Sequence, residues 1–265
     1  MSTAPIVALL SDFGLRDPYV GAIKGVLLSR CPQAVLVDIT HEIDPGDVFG
    51  GALALLAAAP YFPEQTIFLA VVDPGVGGPR RPICVRAGGR HFVGPDNGLL
   101  WLAAAACGPP EAYALTEPAY RLPTVSDTFH GRDLFAPAAA ALATGVPAER
   151  LGPRIRRPTR LTFPSPAVRP GEARGEVLLI DRFGNAITNL CPAHLGCPAP
   201  GEVIFAVEGA QIRGPSRSYQ EAAEGDLVVV LGSTGRYEIA INRGSAAERL
   251  HLRRGSPVHA RRSVP

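Results

Sequence analysis

Ile67-Phe68-Leu69-Ala70-Val71-Val72-Asp73-Pro74-Gly75-Val76-Gly77-Gly78-Pro79-Arg80 is the stretch on which the fold reading turns. The apolar run Ile67 to Val72 has the length and composition of a buried strand. It stops at a carboxylate, and a loop rich in Gly and Pro then returns an arginine, Arg80. Open α/β sheets bind ligands just beyond the carboxyl ends of their strands, and glycines let backbone approach a ligand with no Cβ in the way. The stretch therefore offers a charged pair, Asp73 and Arg80, to a small molecule. Taken alone, it fits equally a strand-to-strand turn with a surface ion pair.

Working outward, the first part alternates strand and helix. Ile6 to Leu10 reads as a strand, Tyr19 to Ser29 as a helix, and Ala34 to Val37 as a strand ending at Asp38. Asp47 is placed to cap a helix running to Ala59. Ile83 to Ala87 and His91 to Val93 read as a hairpin around Gly88-Gly89, and Leu99 to Ala106 and Phe135 to Thr144 as helices. Such alternation implies an α/β fold, a mainly parallel sheet covered on both faces. Pro153, Pro158, Pro164, Pro166 and Pro170 then mark a connector. Beyond it come short strands (Gly175 to Ile180, Ala186 to Leu190, Val203 to Val207, Leu227 to Leu231, Tyr237 to Ile241) separated by glycine-bearing turns, as in a small all-β barrel or sandwich. The expected organisation is an N-terminal α/β domain over 1–152, a Pro-rich linker over 153–171 and a C-terminal β domain over 172–265.

Composition narrows the function classes. The chain has 265 residues, 46% hydrophobic and 19% charged, which is ordinary for a globular protein. No apolar run approaches the ~20 residues that span a bilayer. Met1 to Pro5 carries no basic region and Ile6 to Leu10 is too short for a signal-peptide core, so a cytoplasmic protein without membrane partners is expected. A net charge of +2 gives no electrostatic footprint for nucleic acid. The arginine clusters Arg154, Arg156, Arg157, Arg160 and Arg253, Arg254, Arg261, Arg262 lack interleaved aromatics for base stacking. Cys31, Cys84, Cys107, Cys191 and Cys197 form no CxxC pair, so reduced, structural cysteines are expected rather than disulfides or zinc. The absence of HxxxH and HExxH spacings argues against a metal.

Further polar islands interrupt the apolar segments. Asp12, in Ser11-Asp12-Phe13-Gly14 at the end of the first strand, suits a ribose diol, or equally a turn or helix cap. No GxGxxG or GxxxxGK[ST] occurs, which disfavours dinucleotides and nucleoside triphosphates and leaves a nucleoside open. Gly94-Pro95-Asp96-Asn97-Gly98 reads as structural, with Asp96 capping the following helix. His130, in Thr128-Phe129-His130-Gly131-Arg132-Asp133, is positioned rather than packed, with Arg132 and Asp133 as its expected orienting neighbours. In Asp181-Arg182-Phe183-Gly184-Asn185, Phe183 offers a face to a purine and Asn185 a donor and an acceptor. Gly232-Ser233-Thr234-Gly235 leaves backbone amides accessible. The last two islands also read as plain β-turns.

In this order, and together with Asp38-Ile39-Thr40-His41, the islands resemble the S-adenosyl-L-methionine hydroxide adenosyltransferases, relatives of the bacterial fluorinase and chlorinase. The resemblance runs from Ile6 to about Val258. It implies an α/β domain followed by a β domain and a homotrimer with its ligand between the N-domain of one subunit and the C-domain of the next. It implies hydrolysis of S-adenosyl-L-methionine to adenosine and L-methionine without a cofactor. The family's catalytic Asp-Arg-His set falls on Asp73, Arg80 and His130. The Ser11-to-Gly14 motif brings Asp12, the family's ribose carboxylate, with Phe13 beside it. Its adenine and methionine contacts fall on Asp181, Phe183, Asn185 and Ser233. Thr234 stands where some members carry an arginine, which leaves the residue that clamps the methionine carboxylate open. In the fluorinase an aromatic residue replaces the aspartate, the histidine motif is lost and the N-domain carries an added loop. Here Asp73 and Thr128 to Asp133 are intact, and nothing is inserted between Ala87 and Phe92. These departures favour water over halide as nucleophile. A halogenase, or a non-catalytic sensor of S-adenosylmethionine or adenosine, is the alternative.

Overall fold

A computed structural model describes residues 4–263. The segment preceding Ala4, part of the stretch read as lacking a targeting signal, lies outside it, as do the last two residues. The chain divides into two compact units, Met1–Leu161 and Thr162–Pro265.

The first unit runs β1 (Ile6–Ser11), α1 (Tyr19–Arg30), β2 (Val35–Thr40), α2 (Val48–Ala58), β3 (Ile67–Val71), β4 (Pro82–Ala87), β5 (Arg90–Pro95), α3 (Trp101–Cys107), β6 (Glu111–Ala114), α4 (Ala136–Ala143) and β7 (Arg154–Ile155). Its sheet has the order β2-β1-β3-β5-β4-β6-β7. β1 pairs in parallel with β2 and β3, and β3 with β5; β4, β6 and β7 join by antiparallel pairings. The sheet is thus mainly parallel in strand direction, as the alternating pattern implies.

Period-two alternation sorts the two faces. Val7, Leu9, Ile67, Leu69 and Val71 share one core with Ile23 and Leu27 of α1 and Ala138 and Ala139 of α4. On the other face Phe68 stacks on Phe92 with centroids 4.8 Å apart. Gly51 of α2 comes so close to that face that a Cβ there would meet Leu99 Cδ1 at 2.9 Å and Val72 Cγ2 at 3.1 Å. Both faces are covered, which is why β3, and β1 as far as Leu10, are unbroken apolar runs. The chain leaves β1 for β2 on one side and returns to β3 on the other, so β1 and β3 flank a topological switch point. Ligand crevices in such sheets open at that point, beyond the strands' carboxyl ends.

The second unit contains β8 (Ala167–Arg169), β9 (Glu172–Ile180), β10 (Ala186–Thr188), β11 (Val203–Val207), β12 (Ala210–Gly214), β13 (Leu227–Leu231), β14 (Tyr237–Ile241), α5 (Ala246–Leu250) and β15 (Pro257–Arg262). Its strands pair antiparallel in the order β12-β11-β15-β9-β10-β14-β13, with β8 on β9. Just past β12, Ser216 N–H donates to Val229 O of β13 at 2.7 Å and nearly closes the barrel. Phe205 and Tyr237 meet edge-on at its core.

Several boundaries differ from the sequence reading. β2 continues past Asp38 to Thr40. A π-helical turn, Gly131–Phe135, precedes α4, where a helix beginning at Phe135 is expected. The connector carries a strand near each end, β7 on the first sheet and β8 on the second. Both lie at sheet edges, where proline is tolerated because one side of the strand needs no ladder bond. All five cysteines are free thiols, and full burial lifts the Cys84 thiol to about 12. Among the described residues no helix is long and apolar enough to cross a membrane.

Candidate active site

Asp12 and Asp73 follow the ends of the adjacent strands β1 and β3, which are in register at Ser11 and Val71. The loop after Asp73 folds back so that Arg80 grips the carboxylate with both arms. Nε donates to Oδ1 at 3.0 Å and Nη2 to Oδ2. The side chains are 5% and 10% exposed, so the pair is largely shielded from water. Arg80 Nη2 also donates to Nδ1 of His130 at 2.6 Å, and the guanidinium lies over the Phe135 ring, 5.4 Å from its centroid. A guanidinium only donates, so Nδ1 is the unprotonated nitrogen and the neutral imidazole carries its proton on Nε2. Burial, and then the Arg80 charge, pull the His130 pKa below the ordinary histidine range. They outweigh Asp73, Asp127 and Asp133, which act in the opposite sense.

Two features bring these loops together. Gly77 has φ +75°, and a Cβ there would run into the carbonyl of Asp127, so the 73–80 loop reaches the segment before His130 only through a glycine. Behind Asp73, Asn97 Nδ2 donates to Val72 O at 2.8 Å, while its Oδ1 accepts from Leu99 N. Asn97, rather than Asp96, is therefore the residue bonded ahead of α3. Asp96 is buried and holds the Arg81 guanidinium and the Thr159 N–H instead. Gly77→Ala is expected to lower turnover at least tenfold. The left-handed backbone costs a non-glycine residue about 1–2 kcal/mol, and the added methyl drives the Arg80 loop off the 127–130 segment. Steady-state rates and a melting curve check this; unchanged turnover would mean that the loop contact does not set the site.

The His130 segment is ordered by other means than expected. Arg132 Nε donates to Asp133 Oδ1 at 2.6 Å, and Asp133 Oδ2 accepts from Ser126 N at 2.8 Å. These residues brace the 126–133 loop rather than bonding the imidazole. Burial favours the neutral acid at Asp133, but Arg132, Ser126 and His130 together hold its pKa below the usual range. Phe13, Tyr19 and Phe129 cluster with centroids 5.3–6.0 Å apart, so the Asp12 turn packs on the same segment. Asp12 Oδ2 accepts from Gly46 N at 2.8 Å.

In the second unit, Asp181 turns inward on its own loop. Oδ1 accepts from Phe183 N and Asn185 N, and Oδ2 from Asn185 Nδ2. Phe183 is 76% exposed and Asn185 is buried. Ser233 is exposed in a turn closed by Gly232 N–H to Arg236 O at 2.8 Å. Beneath that turn lies a residue the sequence reading passes over. Glu238 of β14 is buried, accepts from Tyr219 Oη at 2.8 Å, and fills the space a Cβ on Gly232 would need. Burial, Glu238 and Asp181 together push the Tyr219 hydroxyl up to about 12. The visible signal was a lone carboxylate inside an apolar strand. The structure thus joins Asp73, Arg80 and His130 in one contact, sets Asp12 on the neighbouring strand end, and gathers Asp181, Phe183 and Asn185 in one turn. Among the described residues no group of His, Cys, Asp or Glu is arranged to hold a metal ion.

A part-buried Asp-Arg-His group beyond the strand ends at the switch point of an α/β unit, in a chain whose second unit is a nearly closed β barrel, is the arrangement of an enzyme acting on a small molecule. The SAM hydroxide adenosyltransferase N-terminal domain matches residues 7–152, and the C-terminal domain of the same family matches residues 175–259. The chain belongs to this family. It is 46% identical over 259 residues to an (R)-S-adenosyl-L-methionine hydrolase of Thermus thermophilus, covering 95% of this chain and 98% of that one. A fluorinase of Actinopolyspora mzabensis is more distant, 30% identical over 98% of both chains. The crystal structure of an uncharacterized conserved protein from Thermotoga maritima superposes with TM-score 0.90 at 35% identity, covering 97% of this chain and all of that one.

Proposed function

We propose that the protein hydrolyses S-adenosyl-L-methionine by in-line attack of water on the ribose 5′ carbon, giving adenosine and L-methionine. The observation that carries this reading is the single contact joining Asp73, Arg80 and His130 beyond β3. As the new C–O bond forms, the C5′–S bond breaks and methionine leaves as a neutral thioether, so no acid is needed on that side. One proton must leave the attacking water. Arg80 occupies one lone pair on each Asp73 oxygen and leaves others to accept from water. Asp73 is therefore the acceptor that orients the nucleophile and takes its proton. His130, its Nδ1 engaged by Arg80, offers Nε2–H as a donor that fixes the water oxygen. Arg80, bonded to both carboxylate oxygens, holds Asp73 aligned. Holding the reacting atoms in near-attack geometry contributes up to about 7–11 kcal/mol, and proton transfer to a placed base about 10²–10⁴-fold.

Asp12 is assigned to the ribose diol, with Phe13 beside it. Asp181, Phe183, Asn185 and Ser233 are assigned to the adenine and methionine ends. The trimer that the resemblance implies, with the site between one subunit's N-terminal unit and the next one's C-terminal unit, belongs to the same reading, as does a cytoplasmic location. So does preference for the (R) sulfonium, which the names of the related hydrolases specify. Turnover in oxygen-18 water is expected to place label in adenosine and none in methionine. Label in methionine, or 5′-halo-5′-deoxyadenosine formed in chloride or fluoride, would overturn the assignment. Light scattering is expected to give the mass of three chains.

A further inference from the structure

A hydrogen-bonded chain that the hydrolytic chemistry leaves unused runs from the surface of the first unit to the end of β1. Lys24 Nζ donates to Asp38 Oδ2 at 2.6 Å. Asp38 Oδ1 lies 3.1 Å from His41 Nε2, and His41 Nδ1 lies 2.7 Å from Ser11 Oγ. Ser11 and His41 are buried, whereas Lys24 and Asp38 are partly exposed. Partial burial opposes ionisation of Asp38, but the bonds from Lys24 and His41 hold its carboxyl below the usual range. An ionised carboxylate only accepts, so Nε2 carries the imidazole proton, and in the neutral ring Nδ1 accepts from the Ser11 hydroxyl. The hydroxyl proton therefore points at the ring, and the oxygen's lone pairs face the Phe13 N–H, 3.3 Å away.

The connectivity is that of a Ser-His-Asp triad, but a hydroxyl on a residue only 2% exposed has no access to a reacting carbon. What the chain does hold is backbone. Gly14 N–H donates to His41 O at 2.8 Å, Ile43 N–H to Ser11 O at 3.4 Å, and Gly46 N–H to Asp12 Oδ2 at 2.8 Å. The turn carrying Asp12 is thus clamped to the 41–46 loop on both sides of the carboxylate. Beside the Asp12–Gly46 bond, the clamp is anchored in the interior by the bond between the buried Ser11 and His41 side chains. We propose that His41 and Ser11 are positioning residues: through the Phe13 N–H they fix the 11–14 turn so that Asp12 presents its second oxygen to the ribose diol of the substrate. This rests on the assignment of Asp12 made above.

Calorimetric titration of the intact protein with adenosine and with 2′,3′-dideoxyadenosine tests it, because the second ligand has no diol to grip. The parent protein is expected to prefer adenosine. Ser11→Ala is expected to shrink that preference about tenfold, with the dideoxy ligand binding as before. Ser11→Thr, which keeps a hydroxyl, should restore most of it. Asp38→Ala, at the partly exposed end, should shrink it by a smaller factor and gives the decision if Ser11→Ala does not fold. The proposal is overturned if Asp12→Ala abolishes the preference while the Ser11 and Asp38 variants keep it. It is equally overturned if those variants weaken both ligands alike, as a merely structural role would. A parent protein without the preference, or Asp12→Ala retaining it, removes the Asp12 assignment and this inference together.

Discussion

Asp73→Asn is expected to lower kcat by about 10²–10⁴-fold with little change in the affinity for S-adenosyl-L-methionine. The magnitude follows from the two things the proposed reaction asks of the carboxylate, a proton acceptor for water and a fixed negative partner for the Arg80 guanidinium. The direction follows from where it sits. Its oxygens are engaged by Arg80, and the proposed reaction sets them against the nucleophile rather than the nucleoside, so ground-state binding is expected to survive while transition-state stabilisation is lost. The amide nearly matches the carboxylate in shape but presents N–H toward a guanidinium that only donates. Arg80, 10% exposed, is then left partly unpaired. Breaking such a pair by removing one partner costs up to about 3–5 kcal/mol, so the melting temperature should fall as well. Rates over a range of substrate concentrations, with calorimetric binding under non-turnover conditions, separate the effects. A variant with near-parental kcat would show that the nucleophile is oriented elsewhere.

Asp73 and Arg80 were legible in the sequence because each breaks a rule locally: a carboxylate ends an apolar strand, and a glycine-rich loop hands back an arginine. Their contact with His130 was not, since Arg80 and His130 lie 50 residues apart and only tertiary packing joins them. The same holds for Ser11 and His41, which the sequence shows as members of two motifs and the structure joins across 30 residues. Asp181 and Asn185 were visible as an island, but that the Asp181 carboxylate is engaged by its own turn depends on backbone conformation that residue types do not encode. Among elements, β1, β3, β13 and β14 are dense in branched and apolar residues and declare themselves. β6, Glu-Ala-Tyr-Ala, has no such density and exists because it pairs with β4. β15 alternates buried Val258 and Ala260 with charged and polar neighbours, so its Arg261 and Arg262 register in the sequence as a basic tail, although the strand is held between β11 and β9.

His130→Gln is expected to remove the imidazole's contribution to the acid limb of the pH–rate profile as well as lowering kcat. In the parent protein the imidazole must be neutral, because Nδ1 accepts from Arg80, and a protonated ring would set a second cation against the guanidinium. Burial and Arg80 hold its pKa below the ordinary histidine value of about 6.5, so activity should persist to lower pH than a free histidine would allow and then fall as the ring charges. Linkage gives the same group a signature in stability. Its folded pKa lies below its unfolded value, so between the two the unfolded chain binds more protons and stability rises with pH. The contribution of His130 is fully present above about pH 6.5 and is lost as pH falls toward its folded pKa. His91 and His194 are shifted in the same direction, both chiefly by burial, so the parent curve alone does not isolate it. The difference between the melting curves of parent and His130→Gln across pH 4–8 does, because the other two histidines cancel. A difference that stays flat through that window, with the acid limb of kcat/KM unchanged in the variant, would mean that His130 does not titrate against Arg80.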